Sequence, residues 1–217
     1  VAVNTTAGTA SEVTINYVIT DEIRHIKMVM VDPNSLATIS VNDPELMINK
    51  PAGLTAATGM DALTHAIESY ITAGAFRLSD TLSLEAIKLI GESLETAVKD
   101  GKNIEARSKM AWASYTAGLS FSNAGLGIVH SMAHQLGSEY NLPHGVANAV
   151  LLPHVEEFNM DACGEKFRDI AKALGTCTKD MTTEEANKAA IQAIKDLSAK
   201  VGIPKGLREL GVKEEDF

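Results

Sequence analysis

Five side chains able to bind a divalent metal stand in two helix-spaced pairs and a turn: Asp61 and His65 in GMDALTHAIE, His130 and His134 in GIVHSMAHQLG, and His144 in NLPHG. An i, i+4 spacing places both members of a pair on one helix face, so each helix can direct two donors at one point. Asp61 sits among Ala, Leu and Ile, where a carboxylate desolvated without a cation costs several kcal/mol, roughly. One carboxylate and three imidazoles suit Fe(II), Zn(II), Ni(II) or Co(II) and suit Ca(II) and Mg(II) poorly. An ion that takes five or six ligands keeps room for a substrate oxygen and then acts as a Lewis acid. Five candidates leave one donor spare for moving protons. His134 is assigned that role, because it lies a turn beyond His130 while His144 can swing in from the loop. A plain buried polar network is the competing reading, since a buried His is more often hydrogen-bonded core than ligand. His154, after Pro153, and His25, in DEIRHIK, have no partner at ligand spacing and read as structural or solvent-exposed.

A second chemical feature is the opening NTTAGTASE, whose hydroxyls and Gly can wrap a phosphate or ribose. It matches neither GxGxxG nor the P-loop pattern, so it reads equally as an ordinary turn. Lys27 can direct a cation at the same ligand, or at water.

The chain that must position these groups has 217 residues, long enough to bury a substantial core. Acidic residues exceed basic ones, 28 to 19, and no basic stripe is interleaved with aromatics, which argues against nucleic acid and anionic membranes as partners. No apolar run reaches the roughly 20 residues of a spanning helix. A cytoplasmic protein is the expectation. Cys163 and Cys177 are the only cysteines and lack CxxC spacing, so both read as ordinary reduced thiols.

Residues 13–20 (VTINYVIT), 27–31 (KMVMV) and, more weakly, 36–41 are β-prone, with turn signals at Asp21-Glu22 and Asp32-Pro33-Asn34 and no element expected before the Thr/Gly/Ser cluster. From Asp43-Pro44 onward the apolar residues take helical spacing. This predicts a mainly α chain: a short β segment over 1–44 and an all-helical part over 45–217. Helices are expected over about 51–73, from a cap at Ser79 or Asp80 to about 100, 104–122, 128–137, 146–159, 161–174 and 183–201, with a short one after Lys205. His144 falls in the tight connection Pro143-His144-Gly145. The start without Met and the abrupt end GVKEEDF read as a cut from something longer.

Taken together, TTAGTASE, GMDALTHAIE, GIVHSMAHQLG and PHGVANAVLLP resemble the iron-containing (group III) alcohol dehydrogenases, in that family's order across nearly the whole chain. The likeness is nearest to the lactaldehyde reductase (1,2-propanediol oxidoreductase) branch, including the tail GEKFRDIAKALG and VGIPKGLRELGV. The resemblance implies an amino-terminal α/β domain holding NAD or NADP, of which 1–44 would be a remnant, and a dehydroquinate synthase-like helical domain over 45–217 holding Fe(II), with Zn(II) as the alternative. It assigns Asp61, His65, His130 and His144 as metal ligands and His134 as the non-ligating His near the nicotinamide. It carries Thr5, Thr6, Thr9, Asn16, Lys27 and Leu46 over as cofactor contacts. The implied reaction passes hydride between NAD(P) and a small alcohol, diol or lactaldehyde-like substrate, in a homodimer or higher homo-oligomer. Without the resemblance, the ligand set alone leaves open a metal-dependent lyase or hydrolase, or an inactive helical module. The chain departs from the family at Ala10, often Gly, which is expected to narrow the backbone's approach to the cofactor. It departs again at Gln135, often Pro, which is expected to loosen the local helix end.

Overall fold

The computed structural model describes residues 1–24 and 26–216; the expectation for His25 lies outside them. Two small sheets precede the helices. β1 (Ala2–Val3) pairs in parallel with β4 (Ser40–Val41), and β2 (Asn16–Asp21) pairs antiparallel with β3 (Ile26–Val31) in the register Asn16 to Val31. The β1 pairing corrects the expectation that nothing regular precedes the Thr/Gly/Ser cluster. It also corrects the third predicted strand: within 36–41 the strand covers Ser40 and Val41 alone, with the Ile39 carbonyl accepting the Ala2 N–H at 2.9 Å, and Asp32-Pro33-Asn34 opens a 3-10 turn capped by the Asp32 carboxylate.

Seven α-helices follow among the described residues: α1 (Ala52–Ile71), α2 (Arg77–Lys99), α3 (Ile104–Ala124), α4 (Ile128–Glu139), α5 (His144–Asn159), α6 (Lys166–Ala173) and α7 (Thr183–Lys200). None is long and apolar enough to cross a membrane. The helix α1 is apolar or small almost all round and is buried from Ala56 to Tyr70 apart from Thr58, so it forms the axis of the helical part. On one side α2 presents Ile87, Ile90 and Leu94, and α3 presents Ala113 and Ala117, whose small side chains let the two helices close on α1. On the other side α5 packs against α1 and carries α4; α6 and α7 pair and close the far end. Each fully buried Ile or Leu in this core contributes roughly 1.5–3 kcal/mol. Where α1, α2 and α3 meet, a chain of buried hydroxyls links them: Ser69 to Ser83 at 2.8 Å, Ser83 to Ser120 at 2.8 Å, and Ser120 to the Ser79 carbonyl at 3.0 Å.

Several element ends differ from the sequence reading. Ser79 does not precede α2 but sits in its first turn, where its hydroxyl accepts the Phe76 N–H at 2.8 Å. The segment 161–174 is not one helix: Met160–Ala162 is a 3-10 turn, and Gly164 at φ 58° separates it from α6. The stretch after Lys205 is 3-10, over Leu207–Leu210. Gln135 does not loosen a helix end, because α4 runs through it to Glu139 with Gln135 exposed. Ala10 takes φ 51° and is 2 % exposed. Its methyl packs against α3 at Gly118.

Candidate metal centre and cofactor cavity

Three helices deliver the polar cluster. Asp61, His65 and Glu68 recur at i, i+4 and i+7 on one face of α1; His130 lies in the first turn of α4; His144 is the first residue of α5. His144 was expected in a turn. Pro143 instead leads directly into α5, its carbonyl accepting the Val146 and Ala147 N–H groups at 3.0 Å.

The centre of the cluster is Asn148, one turn after His144. Its Nδ2 donates to Asp61 Oδ1 at 2.6 Å and lies 3.1 Å from both His130 Nε2 and His144 Nε2. Asp61 Oδ1 is itself 3.7 Å from His130 Nε2 and 3.6 Å from His144 Nε2, and its Oδ2 is 4.0 Å from His65 Nδ1. His65 is held between the rings of Phe121 and His130, with centroids at 4.4 and 4.3 Å, and its buried Nδ1 has no hydrogen-bond partner. One ligand atom each from Asp61, His65 and His130 falls within a span of 4.8 Å.

An amide NH2 has two hydrogens, yet once His130 gives up its Nε2 proton three acceptor atoms converge on this one. One lone pair goes unserved, His65 Nδ1 is a second, and a divalent cation can bond both kinds of donor, carboxylate oxygen and imidazole nitrogen. The residues present therefore fit a borderline metal ion. Close by, His134 stacks on His144 at 5.2 Å and lies 6.5 Å, ring to ring, from His130.

The electrostatics follow from burial and neighbours. Burial opposes ionisation of Asp61, but His65, His130 and His144 hold its carboxyl below the ordinary range. Burial pulls His65 down to about 3 despite Asp61. Burial also disfavours a charged His130, yet Asp61 and Glu68 beside it hold it up at about 9. His134 is drawn down to about 4 by burial and by His144, His130 and Lys27, and His144 is lowered mainly by burial. A metal at this point must therefore displace a proton from His130.

The cluster forms one wall of a cavity of about 620 Å³ between the β2–β3 hairpin and the helices. His65, His130, His134 and His144 border it, with Phe121 and Leu126 as apolar neighbours. Of the six residues expected to contact a cofactor, Thr9, Asn16 and Lys27 line this cavity. Thr6 lines a separate pocket of about 10 Å³ beside Arg107, Thr5 is exposed, and Leu46 is 43 % exposed on a 3-10 turn. The structure thus groups three of the six and does not bring in Thr5, Thr6 or Leu46. His154 is exposed, as one of its two expected settings, and both cysteines are free thiols.

Sequence reasoning passed over Glu68 and Asn148. Both carried a signal: Glu68 is a carboxylate two turns beyond Asp61 in the same apolar helix, and Asn148 is an amide one turn from His144 inside VANAVLL.

Comparison with known proteins agrees with this architecture. Residues 55–217 match the Fe-containing alcohol dehydrogenase family, C-terminal, and residues 1–44 match iron-containing alcohol dehydrogenase. Over the whole chain and 56 % of its partner's length, the chain is 53 % identical to a lactaldehyde reductase of Escherichia coli K12. It is 50 % identical to an NAD-dependent methanol dehydrogenase of Bacillus methanolicus, covering 100 % of this chain and 57 % of that one. The crystal structure of a 1,3-propanediol oxidoreductase superposes with a TM-score of 0.97 at 55 % identity, over 99 % of this chain and 56 % of that one. The chain spans about half the length of the relatives it matches, and it belongs to the iron-containing alcohol dehydrogenase family.

Proposed function

We propose that this chain carries the metal centre and part of the nicotinamide side of an alcohol dehydrogenase that passes hydride between NAD(P) and a small alcohol, diol or lactaldehyde-like substrate. The observation that carries the proposal is the convergence of Asp61 Oδ1, His130 Nε2 and His144 Nε2 on one point, with the unpartnered His65 Nδ1 beside it, at the wall of the large cavity. Asp61, His65, His130 and His144 are the residues that would hold Fe(II), or Zn(II) in its place. When bound, the metal supplies Lewis acidity toward a substrate oxygen, and the nicotinamide supplies the hydride chemistry.

The chain's own residues do the rest. His134, uncharged at neutral pH because its pKa is drawn down to about 4, is suited to take a proton from an alcohol or relay one through water. Lys27 reaches across α4 at Gly137 and puts a cation on the cavity wall, where Thr9 and Asn16 add polar groups for a ribose or phosphate. Val29, Val31, Phe121 and Leu126 make the remaining wall apolar, which suits a nicotinamide face and limits water. The change of texture near residue 44 supports the division into a nucleotide-side segment, 1–44, and a metal-side domain, 45–217. Two free thiols and an acidic surface suit a cytoplasmic setting; a homodimer or higher homo-oligomer rests on the family resemblance, and sedimentation analysis tests it.

The test uses the full-length protein, reconstituted anaerobically with Fe(II) and mixed with NAD or NADP and 1,2- or 1,3-propanediol. Nicotinamide absorbance at the reduced band should rise with one of the diols. A metal-loaded protein that leaves the nicotinamide unchanged with diols, simple alcohols and lactaldehyde would overturn the redox reading.

A further inference from the structure

We propose that Glu68 is a positioning residue for the metal centre: its carboxylate, delivered from α1, caps the start of α4 and fixes which ring nitrogen of His130 faces the cation. Glu68 is 1 % exposed, and no Lys or Arg pairs with it among the described residues. Its Oε1 accepts the Val129 N–H at 2.7 Å, and its Oε2 meets His130 Nδ1 at 2.5 Å. The first helical N–H groups of α4 need acceptors, and the cap residue, Gly127, has no side chain to supply one. Glu68 fills that need from another helix. A carboxylate can only accept, so Nδ1 carries its hydrogen toward Glu68 and Nε2 is the atom aimed at Asp61, His144 and Asn148.

The fit is specific for a carboxylate. Two donors, Val129 N–H and His130 Nδ1–H, require two acceptor oxygens, and the amide of a Gln has one. With Gln the amide NH2 would face either the Val129 N–H, donor against donor, or Nδ1, which would force the hydrogen onto Nε2 and remove the lone pair offered to a metal. Gly127 completes the arrangement. A Cβ there would stand 2.8 Å from Glu68 Oε1, so any side chain at this position would have to push the carboxylate aside. Glu68 does not touch the ligand point itself; it acts through His130.

This inference rests on the metal reading above, and the experiment separates the two. Full-length protein is stripped with chelator and titrated with Co(II), whose visible ligand-field bands report the coordination shell. Glu68→Gln should bind Co(II) about 10–100-fold more weakly than the wild type and shift those bands, in line with the usual effect of losing such an outer partner. The same substitution on a His130→Ala background should cost nothing further. Equal losses in both backgrounds, or wild-type affinity and bands in Glu68→Gln, would overturn the role of Glu68 while leaving the metal centre standing. A wild-type protein that takes up no Co(II) would remove the metal reading, and the role of Glu68 with it. Melting curves report whether Glu68→Gln folds. If it does not, Gly127→Ala is the second probe: it keeps both oxygens but displaces them, and wild-type Co(II) affinity in that variant would equally overturn the proposal.

Discussion

Asp61 is a buried carboxylate with no Lys or Arg paired to it among the described residues; what it has is one amide hydrogen from Asn148 and three imidazoles at 3.6–4.0 Å. A polar cluster built only for stability would leave fewer lone pairs facing each other, since each unserved buried acceptor costs ~1–3 kcal/mol. Removing one donor should therefore show in metal content. Asp61→Ala or His144→Ala, purified anaerobically, should hold far less iron or zinc than the wild type by elemental analysis, and equal content would refute the ligand assignment. His134→Ala should keep its metal and instead lose kcat by ~10²–10⁴-fold, the usual scale of a lost proton-transfer group; steady-state kinetics of the metal-loaded variant measures it. Glu156, fully buried behind Glu68 with Oε1 unpartnered, is pushed up to about 8 by burial. An unfolded Glu titrates near its ordinary value of 4.5, so between about 4.5 and about 8 the unfolded chain has lost a proton that the native state retains. Stability contributed by the protonated native form is thus present at low pH and lost as pH rises through that window. Glu156→Gln should flatten this part of the profile and gain up to a few kcal/mol over the wild type near pH 8, by urea titrations across the range.

At the scale of elements, the centre depends on how closely α5 starts against α1. A Cβ on Gly145 would stand 2.5 Å from the Ala57 carbonyl oxygen, an atom of backbone that cannot swing aside. Gly145→Ala should push the first turn of α5, and His144 with it, away from Asp61. The expected result is a folded protein with weaker Co(II) binding; unchanged binding would show that the helix start tolerates the shift. The hydroxyl chain through Ser69, Ser83 and Ser120 ties α2 and α3 to the helix that carries Asp61. Ser83→Ala breaks the link between Ser69 and Ser120, each of which keeps a backbone acceptor in the Ala66 and Ser79 carbonyls, and should cost ~0.5–1.5 kcal/mol of stability in denaturant melts, with metal affinity little changed. These two outcomes distinguish elements that aim the donors from elements that only hold the bundle.

For the whole molecule, a cation held by the proposed ligands would join α1, α4 and α5 and so bind the folded state and not the unfolded one. Ligand linkage then makes the melting temperature depend on metal: free metal at 100 times its Kd adds ~2.7 kcal/mol. Chelator should lower the melting temperature of the full-length protein, and readdition of Fe(II) or Zn(II) should restore it. The large cavity lies between the β2–β3 hairpin and these helices, so its two walls come from the two stretches of chain that differ in texture on either side of residue 44. That arrangement explains why the proposed cofactor groups Thr9, Asn16 and Lys27 are so far in sequence from His130, His134 and His144.

Much of this was legible from residue order. Spacing alone put Asp61 with His65 and His130 with His134, because helical periodicity is a local property that any i, i+4 pair obeys. The switch from β-prone to helical texture was local too, and the helix cores came out where the apolar periodicity placed them. Helix starts were less legible: Ser79 looked like a cap and is an interior residue of a first turn, since which hydroxyl meets which N–H is decided by neighbouring backbone. What only the tertiary structure decided is the meeting of separate helices. Glu68 looked like an ordinary charge in HAIESY until α4 set the Val129 N–H and His130 Nδ1 against it, and Asn148 became central only when α5 docked on α1. Thr5, Thr6 and Leu46 fell away from the cavity for the same reason. Sequence determines which side chains share a helix face; the packing of one helix on another decides which lone pairs share a point in space.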